Sequence, residues 1–209
     1  MMKKIFLIVF VFSLVYNCEK PPEAPKAEIK DPANPSSAVQ GVNVKLDTEK
    51  SQIKWIGTKL KGKHNGTIKI SEGTVVLNNQ KVIGGNFTID MNSIVVLDLT
   101  GKDKAKLEGH LKTGDFFETD KFPYSKFVIT SIKDGENGEI IVTGNLEMKG
   151  ITKSISFPAK VTFSEDKKSV QATANFNINR QEWGITYKGM ADNAINDEVN
   201  LGLELFASL

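Results

Sequence analysis

The chain has 209 residues, with 27 Lys and Arg against 25 Asp and Glu, and 40% of its residues are apolar. This composition excludes collagenous and wholly disordered proteins, and the length favours one globular domain with appendages. The single cysteine excludes an internal disulfide framework. A formal net charge of +2 is too small for a nucleic-acid-binding surface, so no nucleic-acid partner is expected.

The first 18 residues have the pattern of a signal peptide. Lys3 and Lys4 precede an apolar stretch from Ile5 to Tyr16, which falls short of the roughly 20 residues of a membrane-spanning helix. The segment ends at Cys18, in a context that resembles a bacterial lipobox, where the thiol is acylated and becomes the new N-terminus. An ordinary secretory signal that leaves a free thiol is the alternative. The sequence predicts export to the bacterial envelope or periplasm, with membrane attachment through acylated Cys18.

Residues 19–41 form a segment of different composition. They hold five of the seven prolines and almost no large apolar side chain. Such a segment cannot bury enough apolar surface to offset its ordering entropy, so a disordered tether is predicted. Its proline content would make it semi-extended and hold the following domain off the bilayer. Removal of residues 1–18 takes away two lysines and no acid, which leaves a formally neutral chain.

From residue 42 to residue 209, apolar and polar residues alternate with a period of two. Phe87, Ile89 and Met91, for example, share one parity, and polar residues occupy the other. Such runs predict antiparallel strands that are apolar on one face, and the Gly, Asn and Asp residues between them fit hairpins. We count about nine strand candidates and one helix, around Lys102 to Leu111. The predicted fold is all-β, either a closed barrel or a two-sheet sandwich.

The sequence has no phosphate-binding loop and no nucleophile elbow. Its two histidines, His64 and His110, lie far apart and lack the spacing of a metal site. A catalytic centre would require one of them to meet Glu108 or Asp115 in a cleft. The simpler interpretation is that both histidines are structural, so no metal, no cofactor and no catalysis are expected.

Arg180 is the charged residue that interrupts an apolar parity. It follows Phe176 and Ile178 on the same face of a predicted strand. Buried arginine is usually paired, so a structural salt bridge with Glu182 or Asp197 is one prediction. Contact with the head group of a ligand is the alternative.

Four segments in order carry a family resemblance: Leu107–Glu118, Lys121–Pro123, Val142–Thr152 and Ile178–Ile185. Together they resemble the YceI-like family across residues 42–209. The resemblance implies a lipocalin-like antiparallel barrel of about eight strands with a helix over one end. It also implies an exported, non-catalytic protein that binds a polyisoprenoid or similar long apolar lipid inside the barrel.

The front of the domain also resembles a subgroup of that family, through Trp55–Lys59 and Gly62–Gly66. The chain departs from the family at Leu107 and Glu108, where the family commonly has Arg-Asp. The carboxylate is kept there, and the arginine is not.

The inward parity of the strands is predicted to line the lumen and contact the lipid. The predicted residues are Ile53, Trp55, Phe87, Ile89, Met91, Phe127, Ile129, Val142, Leu146, Phe157, Val161, Phe163, Phe176, Leu201 and Leu203. Alternation alone does not separate a hollow barrel from a filled one. A filled barrel would instead serve as a structural or protein-interaction module on the envelope. The sequence leaves the oligomeric state open, a dimer included.

Overall fold

The computed structural model describes residues 19–34 and 40–209. The predicted signal peptide and the acylation site at Cys18 lie outside the described residues and stay predictions. Within the described ranges, no helix is long and apolar enough to cross a membrane.

The described chain consists mainly of strands. Helix α1 spans Gly101–Lys112, and short 3₁₀ turns span Arg180–Trp183 and Ala191–Asn193. The strands are β1 (Glu28–Lys30), β2 (Val42–Lys45), β3 (Gln52–Lys59), β4 (Gly62–Asn78), β5 (Lys81–Val96), β6 (Tyr124–Asp134), β7 (Ile140–Met148), β8 (Ile151–Phe163), β9 (Ser169–Asn179) and β10 (Ile195–Ser208).

Strands β3 to β10 form a closed antiparallel barrel. Each strand pairs with its neighbour in sequence, and β10 returns to β3, where Leu201 lies opposite Trp55. The ring is completed by β8 and β9, which pair at one end. Strand β1 adds to β8, and β2 adds to β4. The predicted lipocalin-like barrel of about eight strands with a helix is confirmed, and the sandwich is excluded.

The two ends of the barrel differ. At one end lie the β3–β4 and β7–β8 turns, α1 with its flanking loops, and residues 180–194; we call this the helix end. Helix α1 is fastened there because the Glu108 carboxylate accepts a hydrogen bond from the Val96 N–H at 2.9 Å. At the other end, hairpin turns join β4 to β5, β6 to β7 and β8 to β9, and we call this the hairpin end.

Two glycines allow large aromatic side chains to lie flat on the inner face. A Cβ at Gly66 would stand 2.6 Å from the Trp55 ring and 1.8 Å from the Val95 carbonyl oxygen. A Cβ at Gly144 would stand 2.4 Å from the Phe127 ring. Ordinary side-chain contacts lie at about 3.5–4.0 Å, so neither site accepts a side chain without movement.

The prediction of a disordered tether is wrong for residues 19–34. The Ala27 N–H donates to the Asn177 carbonyl at 2.8 Å, and the Asn177 N–H donates to the Pro25 carbonyl at 2.9 Å. The β1 residues pair with β8 around Ile155. Composition suggests disorder because the segment buries little apolar surface, but main-chain hydrogen bonds to the open strand edges order it.

Candidate functional site: an apolar cavity inside the barrel

An elongated cavity of about 250 Å³ occupies the barrel interior. All eight barrel strands contribute to its wall, and so do both hydrophobic clusters of the core. The wall extends from Leu46 near the hairpin end to Leu111 at the helix end. Among the described wall residues, the polar side chains are those of Ser125, Thr173 and Arg180. The cavity therefore suits a guest that needs no charge and few hydrogen bonds.

The wall includes every predicted lumen residue except Phe163. The residues placed there are Ile53, Trp55, Phe87, Ile89, Met91, Phe127, Ile129, Val142, Leu146, Phe157, Val161, Phe176, Leu201 and Leu203. Phe163, the last residue of β8, borders a depression at the hairpin end instead, and it packs partly buried against the hydrophobic cluster at that end. Contact of any of these residues with a lipid stays a prediction.

Strand alternation missed the residues that close the helix end. Leu111 lies in α1, Phe116 and Phe117 follow that helix, and Ile185 lies in the loop before β10. These side chains do not sit on strands, so a period of two does not find them. The apolar stripe of the predicted helix and the Asp-Phe-Phe segment after it were the available signals.

Alternation also missed part of β4, for a different reason. Ile68 and Ile70 face the cavity, and so does Val75, but the register against β5 shifts between Ile70 and Glu72. A bulge adds a residue to one strand and changes which parity faces inward. A simple alternation rule therefore loses the inner face of this strand halfway along it.

Four phenylalanine rings form a continuous aromatic strip on one side of the wall. The ring centroids of Phe87 and Phe127 lie 6.4 Å apart, and those of Phe127 and Phe157 lie 5.8 Å apart. Phe157 and Phe176 stack at 4.0 Å with an interplanar angle of 12°. The strip makes this side of the wall aromatic and polarisable.

Arg180 lies buried at the helix end, and each of its three guanidinium nitrogens donates a hydrogen bond within the protein. Its Nε donates to the Asn196 carbonyl at 3.1 Å, and its Nη1 donates to the Ile185 carbonyl at 2.6 Å. Its Nη2 pairs with Asp197 at 3.0 Å. Burial lowers the pKa of Arg180, and the Asp197 charge opposes that shift. The predicted partner is therefore Asp197 and not Glu182, which faces Lys153.

His64 belongs to a polar group outside the cavity wall. Its Nδ1 lies 2.7 Å from Asp98, and its Nε2 lies 2.9 Å from the Lys59 ammonium. Burial acts to raise the pKa of Asp98, but hydrogen bonds from the Asn65 N–H and from His64 outweigh it and hold that pKa below its usual range. The contacts fasten the β3–β4 hairpin to the segment before α1, which is a structural role.

His110 pairs with Asp115 at 2.9 Å and packs edge-on against Phe116 and Tyr187. His110 thus meets one of the acids that a catalytic centre would require, but neither residue of the pair lies in the cavity wall. In the part of the chain that the structure describes, no group of three or more His, Cys, Asp or Glu side chains is placed to hold a metal ion.

A closed antiparallel barrel with a long apolar lumen and a helix over one end defines a lipocalin-like binding fold. Residues 44–207 match the model of the YceI-like domain. The chain belongs to the YceI-like family.

A curated relative is the UPF0312 protein of Shewanella denitrificans, 34% identical over 88 residues, which cover 42% of this chain. The alignment spans 44% of that relative's length. The structure of BcnA from Burkholderia cenocepacia shares the fold, with a TM-score of 0.66 at 22% identity over 78% of this chain and 99% of that chain. A polyisoprenoid-binding domain from Saccharophagus degradans, implicated in plant cell wall breakdown, gives 0.59 at 16% identity over 81% and 99% of the two chains.

Proposed function

We propose that this protein is an exported, membrane-anchored binder or carrier of a long apolar lipid of the polyisoprenoid type, and that it catalyses no reaction. The observation that carries the proposal is the apolar cavity that extends along the barrel between its two ends. Each square ångström of hydrocarbon removed from water contributes about 25 cal/mol. Shape and length therefore supply affinity without a charged anchor in the wall.

At the hairpin end, the cavity lies next to a depression on the surface, which would form its mouth. Val82, Ile140 and Val161 border both the cavity and the depression outside this end. The volume of about 250 Å³ lies just below the usual range of ligand pockets, which is roughly 300–1,000 Å³. A long lipid would fill the lumen with part of its chain and leave the remainder, with any head group, at this mouth.

A protein of similar fold supports the proposed class of ligand. The Saccharophagus degradans domain of the same fold is described as polyisoprenoid-binding. The wall of the present chain suits that class of guest, since it is apolar along its length and aromatic on one side. An open lumen of this size also argues against the alternative of a filled barrel that acts as a structural module.

Export and anchoring rest on the N-terminal pattern that ends at Cys18. The next residue, Glu19, forms an ion pair with Lys63 at 3.1 Å, beside the β3–β4 turn. An acyl group on Cys18 would therefore hold the helix end close to the bilayer. The segment that follows Cys18 would not act as a long spacer, because it lies along the barrel wall.

The proposal is tested by analysis of lipid that copurifies with the full chain from a bacterial host. We expect mass spectrometry of an organic extract to detect a long-chain isoprenoid or similar apolar lipid in near-stoichiometric amount. The delipidated protein should then take up an added long-chain isoprenol. Absence of lipid in the extract, together with absence of uptake, would contradict the proposed function.

A further inference from the structure

The barrel has a seam between β8 and β9. These strands pair directly at the hairpin end, where Lys160–Phe163 lie opposite Val170–Thr173. Towards the helix end, no direct pairing joins the rest of the two strands within the described chain. Residues 25–30 occupy this part of the seam and bond to both strands.

The inserted segment bridges the two edges with main-chain hydrogen bonds. On the β9 side, Ala27 and Pro25 bond to the backbone of Asn177, and the Asn177 side chain donates to the Pro22 carbonyl at 3.1 Å. On the β8 side, Ile29 lies opposite Ile155 in an antiparallel pair. The barrel is therefore closed at the helix end of the seam by a segment from outside the eight barrel strands.

The seam leads directly to the cavity. Ile155 and Phe157 on β8 belong to the cavity wall, and so do Phe176 and Ile178 on β9. Ile29 lies opposite Ile155, so its side chain shares the inner face and packs, partly buried, against the same hydrophobic cluster. Displacement of residues 25–30 would uncover a lateral opening between these side chains.

The inserted segment is held mostly by hydrogen bonds and by contacts near the surface, including the exposed hydrogen bonds between Ala33 and the Asn145 side chain. Strand β1 has three residues, and both of its terminal side chains are exposed. Lys26 forms an ion pair with Glu198, and Asp31 faces Lys153 at 3.6 Å. Exposed pairs of this kind contribute about 0–1 kcal/mol each. Segments with few buried contacts and solvent-accessible hydrogen bonds open at low free-energy cost.

We propose that residues 22–34 form a strap that opens the β8–β9 seam and admits the lipid sideways into the cavity. This inference rests on the proposed lipid-binding function and adds the route of access. Because Glu19 follows directly on the predicted acylation site, the strap begins beside the bilayer. A lipid would then move from the membrane into the lumen through the opened seam. It would not have to cross water to enter at the hairpin end.

The strap is tested by locking it with a disulfide. In the full chain with Cys18→Ser, the variants Glu28→Cys and Ser156→Cys are combined, because these residues lie directly opposite each other. Opposed strand residues have Cα separations of about 4.5–5.5 Å, which a disulfide spans. A matched control combines Lys126→Cys with Glu147→Cys, an opposed pair between β6 and β7, away from the seam.

The probe is a fluorescent long-chain isoprenol in phosphatidylcholine vesicles, and the measured quantity is its rate of transfer to the protein. We expect the oxidised strap variant to load about tenfold or more slowly, because the gating motion is blocked. Dithiothreitol should restore the rate, and the oxidised control should load like the parent chain. Equal rates for the oxidised and reduced strap variant would overturn the strap proposal.

A second variant loosens the strap. Ala27→Pro removes the N–H that donates to the Asn177 carbonyl, and it should accelerate loading without changing the amount bound at equilibrium. A loading rate no faster than that of the parent would count against the strap. If no variant bound the probe in either redox state, the failure would lie with the lipid-binding function itself.

Discussion

The two tryptophans of the chain lie in regions that exclude water by different means. Trp55 belongs to the cavity wall, where its ring lies against Gly66 and its buried Nε1 has no hydrogen-bond partner. Trp183 lies at the helix end, fully buried, and its Nε1 donates to the Leu146 carbonyl at 3.1 Å. The apolar wall leaves the Trp55 donor unpaired, whereas Trp183 combines full burial with a satisfied hydrogen bond.

The local backbone explains the difference. Trp183 is the last residue of a 3₁₀ turn. The Asn179 side chain caps the start of this turn by accepting a hydrogen bond from the Gln181 N–H at 3.0 Å. Gly184 follows with φ of 69°, a left-handed conformation that glycine adopts without strain. The turn therefore presents Trp183 at a fixed angle. By contrast, Trp55 is placed by strand alternation and by the space that Gly66 leaves for its ring.

The largest expected effect is that of Trp183→Ala. Loss of a fully buried indole leaves a cavity and removes the hydrogen bond to the Leu146 carbonyl, and such changes cost about 3–5 kcal/mol of unfolding free energy. Trp55→Phe should cost less than about 1.5 kcal/mol, since it keeps an aromatic ring and loses no hydrogen bond. Urea unfolding followed by far-ultraviolet circular dichroism measures both. Equal destabilisation by the two changes would remove the distinction between wall and helix end.

A smaller effect is expected for Arg180→Met, which tests whether the helix end binds the ligand's head group. The change leaves the Ile185 and Asn196 carbonyls without their donor, at a cost of about 1–3 kcal/mol. Lipid affinity should stay within about threefold, because all three guanidinium nitrogens already bond within the protein.

The matched control for Arg180 is Lys153→Met, which removes a partly exposed cation at 3.9 Å from Glu182. Its effect on unfolding free energy should stay below about 1 kcal/mol. A tenfold loss of lipid affinity in Arg180→Met with unchanged stability would reverse the assignment and make Arg180 a head-group ligand.

Sequence reasoning succeeded where the backbone has a fixed period. Side chains of a strand alternate strictly, so Phe87, Ile89 and Met91 had to share one face of β5. It failed at the β4 bulge near Ile70, where an extra residue reverses the parity. It also failed at Trp183, which lies in a 3₁₀ turn whose position depends on tertiary contacts.

The N-terminal segment shows a second limit of sequence reasoning. Composition indicates how much apolar surface a segment can bury, and residues 19–34 bury little apolar surface. Their order comes from unpaired edges of β8 and β9, which exist only once the barrel has formed. The Ala27 N–H bonds to the backbone carbonyl of Asn177, and no sequence pattern identifies a main-chain partner of this kind.

The central claim, that the lumen itself binds an apolar lipid, is tested most directly by filling it. Ala159→Leu with Ala172→Leu adds six carbon atoms to the wall of the 250 Å³ cavity. Each added carbon is comparable in size to a water molecule, about 30 Å³, so most of the cavity is lost. Lys160→Leu with Gln171→Leu adds leucines to the same two strands at adjacent exposed positions.

The measurement is the stoichiometry and affinity of a long-chain isoprenol in titrations of the two double variants and the parent. We predict that the filled variant loses affinity by about tenfold or more while its unfolding free energy changes little, because the cavity has room for the leucines. The exposed-face variant should bind like the parent. Undiminished binding by a folded, filled variant would contradict the claim that the lipid occupies the lumen.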